Sequence, residues 1–301
     1  MSTRRFAPRK AGLPALLLVT GALALLAGCS NDDAAAPDAA TTATVDMDAA
    51  QAVAEDVASD SGGVTDQLND VAMALDGLGG AKSLEPGRPD STWVRERFRE
   101  ATYDELTGTW TITVARQHGF PEGVPYHAME RVFTLRLLGP GGEPQQFRVV
   151  DGDTAVAAEY AIVSGTGVHR GPVREHTLSA LNGSFTITDL DQEYMVVNGN
   201  YHREAGHSIE TRRFARTLDG VLDVELIDVT MPARLRANLC SAISGTLVGT
   251  WVADITITRG DDYIEEHVER DITVELGNCE ADIHCGGGRF RAPLGSGDLR
   301  P

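Results

Sequence analysis

The sequence predicts a mainly β protein: one large antiparallel β-meander sheet or half-barrel, preceded by two short helices. Three observations predict it. From Ser91 onward, apolar residues recur with a period of two instead of 3.6. The dipeptides that tight turns prefer return at short intervals, at Asp151-Gly152, Asn182-Gly183, Asn198-Gly199 and Asp219-Gly220. No helical pattern lies between the strands, which argues against a parallel α/β sheet.

The chain opens with a basic stretch holding Arg4, Arg5, Arg9 and Lys10, then an apolar run from Leu13 to Leu26. That run is shorter than the ~20 apolar residues a membrane-spanning helix needs, and its layout is that of a signal sequence. It ends in Leu26-Ala27-Gly28-Cys29, which resembles the lipobox of bacterial lipoproteins. The resemblance implies that residues 1–28 are removed and that Cys29 is diacylated on sulfur and acylated on its new amine, with palmitate-type chains. Two or more acyl chains hold stably where one binds only marginally, so the implied partner is the lipid bilayer. Ser30, in place of an Asp after the Cys, resembles the pattern for export to the outer membrane, on its periplasmic or cell-surface side. Asn31-Asp32-Asp33 is either a surface-export signal or the start of an acidic linker.

Residues 29–45 are Ala, Asp, Thr and Pro without periodicity and read as a lipidated acidic spacer. Residues 46–80 read as two helices. Asp46 and Asp48 suit a helix start, and Met47, Ala50, Val53, Ala54 and Val57 recur at helical spacing until Ser61-Gly62-Gly63. A second stripe follows in Val64, Leu68, Val71, Leu75 and Leu78, closed by Gly79-Gly80. Helices this short need something to pack on, and the simplest expectation is that they cover an open end of the main domain. The run Ser61-Gly62-Gly63-Val64-Thr65-Asp66-Gln67 is similar to segments of β-rich envelope lipoproteins, with no named family attached.

Residues 91–301 form the β domain. Trp93 to Ala101 is joined to the Trp110–Val114 strand by a turn at Tyr103–Gly108, and Phe133, Leu135 and Leu137 alternate next. Leu247, Gly249, Trp251, Ala253, Ile255 and Ile257 share one face of a long arm. Arg259-Gly260-Asp261-Asp262 turns it back through Ile264, Val268, Ile272, Val274 and Leu276. The outward positions carry Thr, Arg and Glu, as in a sheet with one wet face. An outer-membrane barrel would need aromatic girdles, and aromatics are only 6% of the chain.

The formal net charge is -18, and removal of the four signal bases leaves 22 bases against 44 acids, or -22. Such a surface repels phosphates, which excludes nucleic acid as a partner. The charge is divided unevenly, since residues 31–80 hold eleven acids and no base. Lys82 is the only lysine after the signal.

Cys240, Cys279 and Cys285 are the disulfide candidates in an exported chain. If 279–285 is a regular strand, its ends lie about 20 Å apart, too far for a bridge. Each then competes for Cys240, and the third thiol is buried. If the segment is a loop, Cys279 and Cys285 pair with each other. His284 faces away from both, so no zinc site is read there.

No motif for nucleophilic catalysis or phosphate binding appears, so the chain is read as a non-enzyme that needs no cofactor. His202 and His207 bracket Gly206 at an expected turn and read as solvated. Asp151 with Asp153, and Asp189 with Asp191, are weak Ca²⁺ candidates that fit tight turns equally well. The reading is a lipid-anchored protein that binds or scaffolds in the cell envelope. Alternatives are a carrier of an apolar ligand, if no helix fills the sheet, and an envelope hydrolase, if His, Asp and Ser gather in a cleft.

Overall fold

A computed structural model describes residues 39–79, 98–212, 214–234 and 240–300. The signal segment, the lipobox at Leu26–Cys29, Ser30 and the strand start at Trp93 lie outside the described residues.

Helix α1 spans Ala39–Val57 and α2 spans Val64–Gly77. The spacer expected through residue 45 is therefore corrected: its last seven residues are helical. Asp46 and Asp48 sit inside α1 instead of starting it, their carboxylates taken by Arg270 and Arg216. These inter-element ion pairs and burial of Val45 hold the early turns to the sheet, where local propensity alone is weak.

The strands follow in a meander: β1 Phe98–Asp104, β2 Thr109–His118, β3 Tyr126–Leu138, then the short β4 Pro144–Gln145, β5 Val149–Val150 and β6 Asp153–Thr154. The long strands resume with β7 Ala157–Arg170, β8 Arg174–Thr188, β9 Tyr194–Glu210 and β10 Ala215–Pro232. A single 3-10 turn at Cys240–Ala242 leads to β11 Ser244–Arg259, β12 Asp262–Gly277, β13 Glu280–Cys285 and β14 Gly288–Pro293. The main sheet is antiparallel, in the order β1-β2-β3-β7-β8-β9-β10-β11-β12-β13-β14, with β4 added at the end of β3. It is not closed: β1 and β14 are its two edges.

Eleven strands at ~4.8 Å spacing would span about 50 Å if flat, and two helices about 10 Å across cannot cover that width. Yet the inward residues of β2 through β14 share one buried cluster with both helices, from Trp110 and Phe133 through Tyr201 and Trp251 to Ile283 and Ala292. The sheet must therefore curl around the helices. They form the filling of the sheet, a larger role than covering an open end.

Three of the four expected turns are corrected. Asp151-Gly152 does turn the β5–β6 hairpin, with φ of 52° and 100°. Asn182-Gly183, Asn198-Gly199 and Asp219-Gly220 lie inside β8, β9 and β10. At Gly199 the glycine serves close approach, because a Cβ there would meet the Ser184 carbonyl oxygen at 2.0 Å. Asn198 accepts a bond from the Asp228 N–H at 2.7 Å, which stabilises the irregular step between Leu226 and Val229.

Cys240 is bonded to Cys279, leaving Cys285 as a buried thiol at the end of β13. Burial, with the Asp46 carboxylate nearby, pushes that thiol up to about 11.

Candidate functional site

The sheet's inner face carries charge where the sequence pattern reads wet Arg and Asp. On α2, Asp66 and Asp70 face the sheet and meet Arg116 from β2 and Arg131 from β3. Arg131 lies 2.9 Å from Asp66 and 2.7 Å from Asp70, and both Arg131 and Asp70 are fully buried. Burial resists ionisation of both acids. The two guanidiniums still hold Asp66 below the usual carboxylate range, whereas Asp70, more deeply buried and beside the Asp66 charge, stands above it.

The second group centres on the turn between the helices. Arg203 of β9, wholly buried, donates to Asp56 at 2.8 Å, to the Gly62 carbonyl at 2.8 Å and to the Ser61 carbonyl at 3.1 Å. The Gly62 oxygen also accepts from Arg131. Gly62 has φ +73°, and a Cβ on it would lie 2.9 Å from the Arg131 guanidinium and from the Met129 sulfur, so this turn requires glycine. The segment Ser61–Gln67 is thus the piece of chain around which the buried arginines are arranged.

His176 and His207 join this group from β8 and β9. Their rings stand edge to face, 4.5 Å between centres. His207 Nδ1 lies 2.9 Å from Glu55, and its Nε2 lies 3.5 Å from Asp56. Burial works against a charge on His207, but Asp56 and Glu55 outweigh it and raise the imidazole to about 9. At His176 burial prevails, helped by Arg203 and His207, and the group falls to about 4. At neutral pH two carboxylates, Glu55 and Asp56, thus face two cations, Arg203 and His207, with His176 neutral and accepting from Arg203 at 2.8 Å. Asp56, His176 and His207 bring ligand atoms within 4.8 Å of one another. The Arg203 guanidinium already bonds two of the three, so the protein supplies its own cation there.

His202 and His207 are not at a turn and are not both solvated. Both lie on β9 with opposite parity: His202 points outward to Asp223 at 2.6 Å, and His207 points inward. The strand continues through Gly206 because Thr177 and Asp219 pair it on both sides.

Inward His207 belongs to a longer row. In register, His118 stands opposite His127, His127 opposite His169, His169 opposite His176, and His176 opposite His207. Five of the eight histidines therefore cross β2, β3, β7, β8 and β9 side by side, over about 20 Å at ordinary strand spacing. Irregular steps at Val132/Phe133 and Leu178/Ala180 bring β7 and β9 into line. Exposure falls along the row, from open His118 through half-buried His127 and His169 to buried His176 and His207. Burial, followed by His169, lowers His127. A cavity of about 290 Å³ opens beside the inner part of the row, with Glu55, His169, Arg174, His176, His207 and Asp298 on its wall.

The other sequence candidates stay apart. Asp151 and Asp153 flank the β5–β6 turn, and Asp189 (φ 61°) and Asp191 flank the β8–β9 turn; all four are exposed. Among the described residues they form no group of three or more ligands. Ser61 lines the cavity, but its hydroxyl donates to the Glu55 and Ala58 carbonyls, not to a histidine. A second cavity, about 540 Å³, lies between α1 and the ends of β10–β12, with Ile255, Ile257 and Ile264 on its wall. Among the described residues, no helix is long and apolar enough to cross a membrane. The chain matches no protein-family model, no curated protein and no solved structure.

Proposed function

We propose that the chain is an envelope lipoprotein, held at the outer membrane by acylated Cys29, whose curled sheet binds or scaffolds another envelope component. The observation that carries this reading is Leu26-Ala27-Gly28-Cys29 at the end of an apolar run too short to span a bilayer. The Cys240–Cys279 bond agrees with an oxidising compartment. The buried ion pairs fix the helices in the sheet and leave its outer face as the surface offered to partners. A hydrolase would need a nucleophile on His176 or His207, whereas His176 Nε2 is bonded to Arg203, His207 Nδ1 faces Glu55, and the nearby Ser61 hydroxyl donates to backbone carbonyls.

The carrier reading has one observation in its favour, the 540 Å³ cavity with three isoleucines on its wall. That volume suits a small apolar ligand. Against it, the helices occupy the inner face that a lipid would need.

The test is fractionation of cells making the wild type or Cys29→Ser. The wild type should sediment with outer membranes and the variant should move to the soluble fraction; a variant that stays in the pellet overturns the anchor. Mass spectrometry of the purified chain separates the two body readings. Acyl chains on Cys29 and no stoichiometric free lipid support the scaffold, and a stoichiometric apolar ligand replaces it with the carrier.

A further inference from the structure

The inner end of the histidine row is tied to the protein's own charged groups, and its outer end is not. His176 accepts from Arg203, and His207 is flanked by Glu55 and Asp56. The ring nitrogens of His118, His127 and His169 make no hydrogen bond or ion pair among the described residues. Three adjacent imidazoles on one face of β2, β3 and β7 are thus unengaged, two of them half-buried. Imidazoles without polar partners gain little as packing, since each carries a polar nitrogen that water or a ligand must satisfy.

We infer that His127 and His169 bind a divalent transition-metal ion of the Zn²⁺ or Cu²⁺ class, with water completing the coordination. Directly opposed residues on antiparallel strands have Cβ atoms about 5 Å apart, so two imidazoles can turn toward a shared point. A ring nitrogen binds Zn²⁺ at about 2.0–2.1 Å, which puts the ring centre about 3.2 Å from the ion. Two such rings at a tetrahedral angle have centres about 5.2 Å apart. The His127 and His169 centres are 5.7 Å apart with planes at 88°, so a small side-chain rotation completes the pair. By comparison, the 4.5 Å of His176 and His207 is a ring contact with no room for an ion between the ring faces.

The ligand set selects the ion. Two imidazole nitrogens suit Zn²⁺, Cu²⁺ and Ni²⁺ over Ca²⁺ or Mg²⁺, which take oxygen ligands. Three guanidiniums stand near, and each is offset: Arg170 by Glu175 at 3.2 Å, and Arg116 and Arg131, which both act on His127, by Asp66 and Asp70. The net charge of the mature chain draws cations toward the surface. The site is independent of the lipid anchor, so failure of one reading leaves the other standing.

The experiment is calorimetric titration of the purified full-length chain with Zn²⁺, repeated with Cu²⁺ under electron paramagnetic resonance. One saturable site is expected, with Cu²⁺ tighter than Zn²⁺ and two nitrogens coupled to the copper signal. His127→Gln and His169→Gln should each weaken binding at least tenfold with an unchanged β-type circular dichroism spectrum. His267→Gln, an exposed histidine paired with Asp254 outside the row, should not change it. The inference is overturned by absence of saturable binding to the wild type, by equal affinity in the His127→Gln/His169→Gln variant, or by a copper signal coupled to a single nitrogen.

Discussion

Arg131 and Arg203 reach from β3 and β9 to the same carbonyl oxygen, that of Gly62. Two fully buried cations share one backbone acceptor, and each is neutralised by acids from a different helix, Asp66 and Asp70 of α2 for Arg131 and Asp56 of α1 for Arg203. The turn between the helices is therefore held by two strands that β7 and β8 separate in the sheet.

Gly62→Ala should destabilise the protein by about 2 kcal/mol or more, from strain at positive φ and the clash with the Arg131 guanidinium. Urea unfolding should show a lower midpoint at an unchanged slope. A midpoint equal to the wild type would mean that the turn is not pinned as described.

Arg131→Leu leaves Asp70 buried and short of a partner, and a broken buried pair costs about 3–5 kcal/mol. Replacing Asp66 and Asp70 with Asn in the same chain should recover part of that loss, because the buried carboxylates are then gone and only Arg116, one-third exposed, is left without its acids. The sign of the coupling in this cycle is the readout. Additive losses would show that Arg131 acts by volume alone.

The two inward histidines give stability opposite slopes with pH. His207 is raised in the folded state, so its contribution is complete below its unfolded value near 6.5 and is lost as pH rises through about 9. The span corresponds to about 3 kcal/mol. His176 is depressed, so its contribution is present above about 6.5 and is lost as pH falls toward about 4. Thermal unfolding should thus be most favourable to the fold near neutrality. His207→Gln should flatten the alkaline side of the profile specifically; an unaltered alkaline side would reject the ion pairs assigned to His207.

Reducing the Cys240–Cys279 bond frees a loop with 39 residues of separation, worth about 4 kcal/mol of chain entropy. Dithiothreitol should lower the unfolding midpoint, and Cys240→Ser should do the same without reductant. Among Cys240, Cys279 and Cys285, a thiol reagent should find no accessible group in the native protein and one, Cys285, after unfolding, since burial keeps it protonated and enclosed.

The alternation around Trp110, Phe133 and Trp251 was enough to read the strands, and the Val64–Leu78 stripe was enough to read α2. Side-chain parity is a local property and survives in the sequence. Register is not local. His118, His127, His169, His176 and His207 become neighbours only once irregular steps at Val132/Phe133 and Leu178/Ala180 set how five strands align. A spacing of seven between His169 and His176 across a Gly-Pro turn was the one sequence signal of an opposed pair. Arg131 and Arg203 carry no local sign of burial, since a charged residue in a strand usually faces water; their acids sit on helices 61 and 147 residues away. Asn182-Gly183 and Asn198-Gly199 carried the same letters as true turns, and only close strand approach distinguishes them.

The first helix is also the last to be enclosed. Ser59 and Asp60, just past α1, donate backbone bonds to Leu294 and Gly295 at 2.8 and 3.0 Å, and Gln51 is bonded to Gly297 and Leu299. A chain threaded through a membrane pore with its amino end leading would deliver α1 early and its partners at the very end. The finished structure would then wait on arrival of residues 294–299, more than 230 positions downstream of α1, and the interval before it would favour passage in an unfolded form over premature collapse.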